Sequence, residues 1–355
     1  MKVLFIVPYP TEGASNRVRV EQFIPLLEAS GIGCKIRPFM NRRFFSILYL
    51  PHKYAQKIFF FLICTVNRFF DLIRAWGYDV IFIHREAYPF GGPYFETALF
   101  KMKKKIIFDF DDAIFLPNTS EHNVYIERFK RPDKISKIIK MSAHVIAGNN
   151  YLQDFAVKFN KNVTVIPSSI DTEKYRPVDN KGTGEVVIGW IGSNTTGPFL
   201  YELEDVFAGL EEKYKNLKFK IIGSVFHSSK VKNVISKAWS LAGEYDDIRS
   251  IDIGVMPSPD NMWTRGKCGF KAILCMGCGI PVVSSPVGVN TEIVKDGING
   301  FLAKDSTEWF DKLSILIEDE KLRHDMGRKG RALVEEKYSV HTNMPILLNI
   351  IKSVV

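Results

Sequence analysis

The feature that most constrains this chain is a pattern that occurs twice. A short apolar run stops at a loop of small residues, and a helical pattern follows. Residues 3–7 (VLFIV) form the first run, closed by Pro8, with a loop over 8–16 and a helix expected over 17–28. Residues 186–191 (VVIGWI) form the second, followed by Gly192-Ser-Asn-Thr-Thr-Gly197 and a helix expected over 198–213. An apolar run without alternation reads as a strand buried on both faces. Strand, loop and helix in that order open a doubly wound parallel sheet. Further strands are expected at 80–84, 105–109, 144–147 and 163–167, then at 218–222, 252–256 and 281–284.

At 355 residues the chain is long enough for two such units. The expected division is a first domain over 1–178, a polar linker over 179–184 (DNKGTG) and a second domain over 185–338. Residues 339–355 are apolar at helical spacing, and are expected to form a terminal helix packing back on the first domain.

Charge is unevenly placed. The chain carries 48 Lys+Arg against 39 Asp+Glu. Residues 1–178 hold 26 against 16, and the remainder 22 against 23, so the excess belongs to the first half. Between 37 and 74 stand Arg37, Arg42, Arg43, Lys53, Lys57, Arg68 and Arg74 with one acid, Asp71, among eight Phe. A basic, aromatic segment (37–76) points to an anionic surface. No nucleic-acid-binding motif accompanies it, so a membrane face is expected and nucleic acid is not.

On a helical wheel at ~100° per residue, Lys53, Gln56, Lys57, Asn67, Arg68, Asp71 and Arg74 share one sector, and apolar residues fill the rest. Such a helix either packs its apolar face on a sheet or lies in a membrane interface. The longest apolar run, 58–66, is too short to span a bilayer. The N-terminal apolar run is short and lacks a small-residue cleavage site, so no signal peptide is expected. Cys34, Cys64, Cys268, Cys275 and Cys278 are odd in number and scattered, which suits a reducing cytosol. Cys275-x-x-Cys278 has no partner pair at zinc spacing, and no metal is expected. The seven histidines show no nucleophile context, which leaves a hydrolase triad without support.

The most specific segment is 252–303, with Met276-Gly-Cys-Gly-Ile-Pro-Val-Val283 followed by Glu292-Ile-Val-Lys-Asp-Gly-Ile-Asn-Gly-Phe301. It resembles the donor-binding domain of retaining glycosyltransferases of family 4. Ala143-His-Val-Ile-Ala-Gly148, Val163-Thr-Val-Ile-Pro167 and Ile170-Asp-Thr-Glu-Lys-Tyr-Arg-Pro177 resemble the end of the family's first domain. The resemblance implies an α/β fold of GT-B type, two Rossmann-like domains facing across a cleft. It implies transfer of a hexose-like group from a nucleotide-diphosphate sugar to a glycan or polyprenyl/lipid-linked acceptor. Anomeric configuration would be retained, in bacterial cell-surface polysaccharide or glycoconjugate synthesis. No cofactor and no metal would be required. The expected location is cytoplasmic, peripheral on the membrane face.

A diphosphate needs cations, backbone N–H groups and a helix N-terminus. Arg265-Gly-Lys-Cys-Gly-Phe-Lys271 supplies three cations and two glycines before a helix, so Arg265, Lys267, Gly269, Phe270 and Lys271 are expected to hold the donor. Arg265 and Lys267, with Asp111, are the expected catalytic groups. Gly192, Ser193 and Asn194, Gly13 and Ala14 of the first loop, and Glu292 complete the expected donor set. The resembling family usually places two glutamates where this chain has Gly266 and Leu274, and cations in the loop that here reads Gly192–Gly197. These departures keep two alternatives in play: a catalytically degenerate binding subunit and a nucleotide-sugar epimerase.

In the first half, Asp109-Phe-Asp111-Asp112 follows a strand, where α/β sites form. Aligned on the family, Asp111 falls near a His that contacts the donor sugar. Asp-x-Asp could also be read as a metal motif, but the surrounding pattern opposes it. Arg85 and Glu86 also follow a strand and are expected to pair with each other. Together with Asp109 and Asp112 they form the expected acceptor side.

Overall fold

A computed structural model describes residues 1–48, 50–117, 131–177 and 184–355. The chain forms two compact units. The first holds residues 1–168, 266–268 and 343–355, and the second holds 169–265 and 269–342. The division falls after Ser168 rather than at the expected 178/179. Ile170 is tied into the second unit, with its N–H donating to Tyr338 O at 2.9 Å and its carbonyl accepting from Val340 N at 3.0 Å. Of the expected linker, residues 179–183 lie outside the described residues. The terminal helix Val340–Ser353 carries residues of both units.

The first unit is built on β1 (Lys2–Val7), β2 (Gly33–Pro38), β3 (Val80–His84), β4 (Lys105–Phe110), β5 (His144–Ala147) and β6 (Val163–Val165). They form one parallel sheet in the order β2-β1-β3-β4-β5-β6. β1, β3 and β4 are buried almost throughout, as strands covered on both faces must be. The chain runs from β1 out to β2, then returns across β1 to β3. The loops leaving β1 and β3 therefore part in opposite directions, and a crevice opens between them at the carboxyl edge. The helix expected over 17–28 is broken into Ala14–Arg19, a 3₁₀ turn at Glu21–Phe23, and Ile24–Ala29. Pro25 explains the break, because it is tolerated at a helix start and not inside one.

The helix Tyr54–Arg74 does not pack its wide apolar face on the sheet. Its buried residues are Cys64, Arg68 and Asp71, whereas Ile58, Leu62, Val66, Phe69 and Ile73 are more than half exposed. The basic face was expected to look outward, and Arg68 instead lies inside. The reason is a buried ion cluster, in which both terminal nitrogens of Arg68 are hydrogen-bonded. Arg68 reaches Asp71 at 3.1 Å and donates to Val7 O and Arg37 O, both at 3.2 Å. Arg37 and Arg74 also donate to Asp71, at 2.7 and 3.1 Å. A buried charge is tolerated when paired and hydrogen-bonded in this way. Burial still pushes the Arg68 pKa down, to about 10.

The second unit repeats the plan with β7 (Val186–Ile191), β8 (Leu217–Ile222), β9 (Val234–Lys237), β10 (Ile253–Met256), β11 (Val282–Ser284) and β12 (Gly300–Leu302). The parallel order is β12-β11-β10-β7-β8-β9, with the reversal between β7 and β10. Trp190, Phe207 and Phe219 anchor its core. At the end of β8, Gly223 has φ +83°, and a Cβ there would lie 2.1 Å from Gly192 O. That glycine holds the loops leaving β7 and β8 in contact. Gly223→Ala should cost about 2 kcal/mol or more in urea unfolding. Gly297→Ala has a similar φ of +72° but open space around it, and should cost only about 1 kcal/mol. Equal costs would show that the close approach contributes nothing.

Candidate active site

In the first unit, polar groups collect where β3 and β4 end. Asp109 is buried between two partners. Arg19 donates to both of its carboxylate oxygens, with Nε to Oδ2 at 3.3 Å, and also to Ile166 O at 2.7 Å. The His84 Nδ1 stands 2.7 Å from Asp109 Oδ2. Burial alone would raise the Asp109 pKa. The Arg19 charge and the hydrogen bonds from His84 and Arg19 outweigh it and hold the carboxyl below its ordinary 3.8. An ionised Asp109 only accepts, so His84 donates from Nδ1. The opposite nitrogen, Nε2, is buried without a hydrogen-bond partner and lies 3.9 Å from Asp111 Oδ1.

Arg85 does not pair with Glu86, as the sequence suggested. It adopts φ 61°, a left-handed conformation that non-glycine residues adopt at some cost in strain. Its Nε donates to Asp111 Oδ1 at 2.6 Å, and its other arm to Asp112 Oδ2 at 2.9 Å. Glu86 pairs instead with Lys134 at 2.7 Å. The left-handed turn swings the two neighbouring side chains apart. Burial raises the Asp111 pKa, but Arg85, then His84, outweigh it and hold this carboxyl far below the usual range.

Residues 266–268 belong to this unit. Lys267 Nζ lies 3.7 Å from Asp112 Oδ1, Asn149 donates to Gly266 O and Lys267 O, and Cys268 Sγ donates to Asp111 O at 3.2 Å. A Cβ on Gly266 would stand 2.6 Å from the Ala113 Cβ. No larger side chain, a glutamate included, fits there without a shift of Ala113. Gly13, on the loop after β1, is equally confined, with a Cβ there falling 2.4 Å from the Tyr9 Cβ. Ala14 opens the helix that carries Arg19.

In the second unit the corresponding edge gathers around Lys271. Its ammonium sits 4.2 Å above the Trp190 ring and donates to Thr196 Oγ1 at 2.9 Å. Trp190 lies on β7 and Thr196 on the loop Gly192–Gly197, whose Ser193 and Asn194 are exposed. A Cβ on Gly192 would lie 2.6 Å from the Lys271 Nζ, so the loop backbone passes beside the ammonium. Lys271 stands in the first turn of the helix Phe270–Gly277, whose N-cap is Gly269 at φ 62°, with no side chain closing it. An uncapped helix start carries partial positive charge. Arg265 forms a two-armed pair with Asp260, at 2.6 and 2.9 Å, on the surface. Glu292 is exposed on the helix Asn290–Ile293. Leu274 is buried in the core, and a carboxylate there would lose its water. A cavity of about 410 Å³, lined by Glu185, Asp252, Pro281 and Arg323 among others, opens where the strands begin. Ligands of such sheets bind at the opposite edge.

Among the described residues, no group of three or more His, Cys, Asp or Glu is placed to hold a metal. Cys275 and Cys278 are core residues.

Residues 185–319 match the family model described as Glycosyl transferases group 1. A capsular polysaccharide biosynthesis glycosyltransferase, CapM of Staphylococcus aureus, is 24% identical over 256 residues, covering 68% of this chain and 61% of CapM. The chain therefore matches about three fifths of that relative's length. Among solved structures, sucrose-phosphate synthase from Thermosynechococcus elongatus aligns with a TM-score of 0.70 at 14% identity, covering 99% of this chain and 98% of that one. Anabaena HepE in complex with UDP and glucose aligns at 0.67 and 16%, covering 99% and 100%. The fold is GT-B, with two parallel-sheet α/β units of six strands each.

The buried Arg19–Asp109–His84 group makes a testable statement about this unit. Asp109→Asn leaves Arg19 buried without its counter-charge and should cost about 3 kcal/mol at neutral pH. Because the Asp109 pKa is lowered on folding, its contribution is present above the ordinary carboxylate value and is lost as pH falls through the folded value. Wild-type stability should drop below about pH 4, and the Asn variant should drop less there. Parallel curves in urea titrations would contradict this.

Proposed function

We propose that the chain transfers a sugar from a nucleotide-diphosphate sugar to a glycan or polyprenyl/lipid-linked acceptor, with retention at the anomeric carbon. The observation that carries this reading is Lys271, held by Trp190 and Thr196 at the carboxyl edge of β7 beside an uncapped helix start. Hydroxyls, glycine backbone and an ammonium at one helix N-terminus suit a diphosphate. During transfer the bond from the sugar C1 to the diphosphate oxygen breaks as the acceptor oxygen approaches C1 from the same face. The acceptor proton passes to the departing phosphate oxygen. Negative charge grows on the diphosphate, and Lys271 with the helix dipole stabilises it where it grows. Lys267 and Arg265 are assigned the same electrostatic role, and Asp111 a hydrogen bond to a sugar hydroxyl. Gly192, Ser193, Asn194, Gly269, Phe270 and Glu292 complete the donor side of the second unit. Arg85, Glu86, Asp109 and Asp112 belong to the acceptor side, where Asp109 shapes and does not touch. No metal or cofactor enters the scheme.

Similarity to CapM, a capsular polysaccharide biosynthesis glycosyltransferase, supports a cell-surface polysaccharide or glycoconjugate product. The HepE complex with UDP and glucose supports a nucleotide-sugar donor. A lipid-linked acceptor places the protein at the cytoplasmic face of a membrane.

A binding subunit without catalysis is the second reading, favoured by Gly266 and Leu274, which leave no room and no solvation for carboxylates. Release of nucleoside diphosphate from a panel of nucleotide sugars separates the two. Turnover is expected from the wild type, falling about 100-fold in Lys271→Ala and recovering in part in Lys271→Arg. Thermal stabilisation by the nucleoside diphosphate should shrink in parallel. Undiminished turnover in Lys271→Ala contradicts the assignment. Stabilisation of the wild type with no turnover on any donor favours the binding subunit.

A further inference from the structure

We propose that the helix Tyr54–Arg74 is an interfacial membrane anchor that lies in the bilayer surface on its apolar side. This deepens the membrane-face reading above and rests on it for its purpose, though the evidence is separate. A 21-residue helix, roughly 30 Å long, exposes Ile58, Phe59, Leu62, Val66, Phe70 and Ile73 to solvent, each by more than half. Trp76, 68% exposed, continues the stripe past the C-terminus. An ordinary surface helix turns such residues inward. Here the inward positions are taken by Cys64, Arg68 and Asp71, with Phe61 packed beside them, and the ion cluster with Arg37 and the carbonyl of Val7 locks the rotation of the helix. The exposed apolar face is therefore built in, and its continuity marks a docking surface.

Charge selects the occupant. The only acid between 42 and 76 is Asp71, and it is buried. Lys53 and Arg74 are exposed on or beside the helix. Lys104 stands 5.5 Å over the Trp76 ring, with Lys101, Lys103 and Lys105 exposed around it. A second copy on this face would bring these cations against their own kind. An anionic bilayer meets apolar residues and cations together, with Trp76 at the headgroup level. No helix among the described residues is long and apolar enough to cross a membrane, so the helix lies on it. The mode differs from one driven by the basic face alone, since Arg68 is unavailable and the apolar stripe supplies the contact.

The test uses the full chain and vesicles of phosphatidylcholine with phosphatidylglycerol, without nucleotide sugar or acceptor. The wild type is expected to co-sediment with them, and less with phosphatidylcholine alone. The triple variant Ile58→Gln/Leu62→Gln/Ile73→Gln changes only exposed positions. It should bind about tenfold more weakly or less still, with unchanged circular dichroism and melting temperature. Equal binding by the variant overturns the proposal, as does a wild type that stays in the supernatant. A wild-type dimer that the triple variant turns into a monomer, without vesicle binding, overturns it in favour of self-association. Turnover of nucleotide sugar by the unbound protein is measured separately. Its absence would count against the transferase reading, and vesicle binding would stand.

Discussion

A parallel sheet covered on both faces has one edge at which strand carbonyls end, helices begin and loops separate. Both units of this chain are built that way, so the polar side chains that cannot be buried in the layers are delivered to that edge. In the first unit the edge is held by Asp109, fixed from β1's following helix by Arg19 and from β3 by His84. In the second it is held by Lys271, fixed from β7 by Trp190 and from the next loop by Thr196. Each case joins residues far apart in sequence through one charged group.

Most of the architecture was legible, because interior strands are apolar runs. The expected strand at 186–191 is the observed one, and 80–84 and 144–147 also agree. The strands that escaped notice are β2, β9 and β12, which sit at sheet edges. Edge strands such as GCKIRP are half exposed and alternate apolar with charged residues over too short a span to stand out. The site was legible as residue types and not as partners. That Arg85 turns to Asp111 and Asp112 depends on a left-handed backbone at 85, which nothing in the local sequence signals. Lys271 stood out by its place before a helix, whereas its partners Trp190 and Thr196 were not singled out. Helical periodicity revealed two faces on residues 54–74 and could not say which faced inward. That was decided by Arg37 and Val7, on other strands.

The two positions at which the sequence resemblance led one to expect glutamates are both confined. Gly266 is pressed against Ala113, and Leu274 is sealed in the core, so neither position admits a carboxylate. In the first unit Arg85 donates to both Asp111 and Asp112, and its charge holds the Asp111 carboxyl below the usual range. The net positive charge of the first half divides in the same way. Part of it is consumed inside by Arg19, Arg68 and Arg85, and part is displayed around Trp76.

The central claim is that the second unit holds a nucleoside diphosphate at Lys271. Amide hydrogen exchange of the full chain, with and without nucleoside diphosphates, tests it most directly. The account predicts slowed exchange in the loop 192–197 and in the first turn of the helix Phe270–Gly277, where the backbone N–H groups would meet phosphate. Unchanged exchange at both segments, with a nucleotide bound and protection elsewhere, would contradict it.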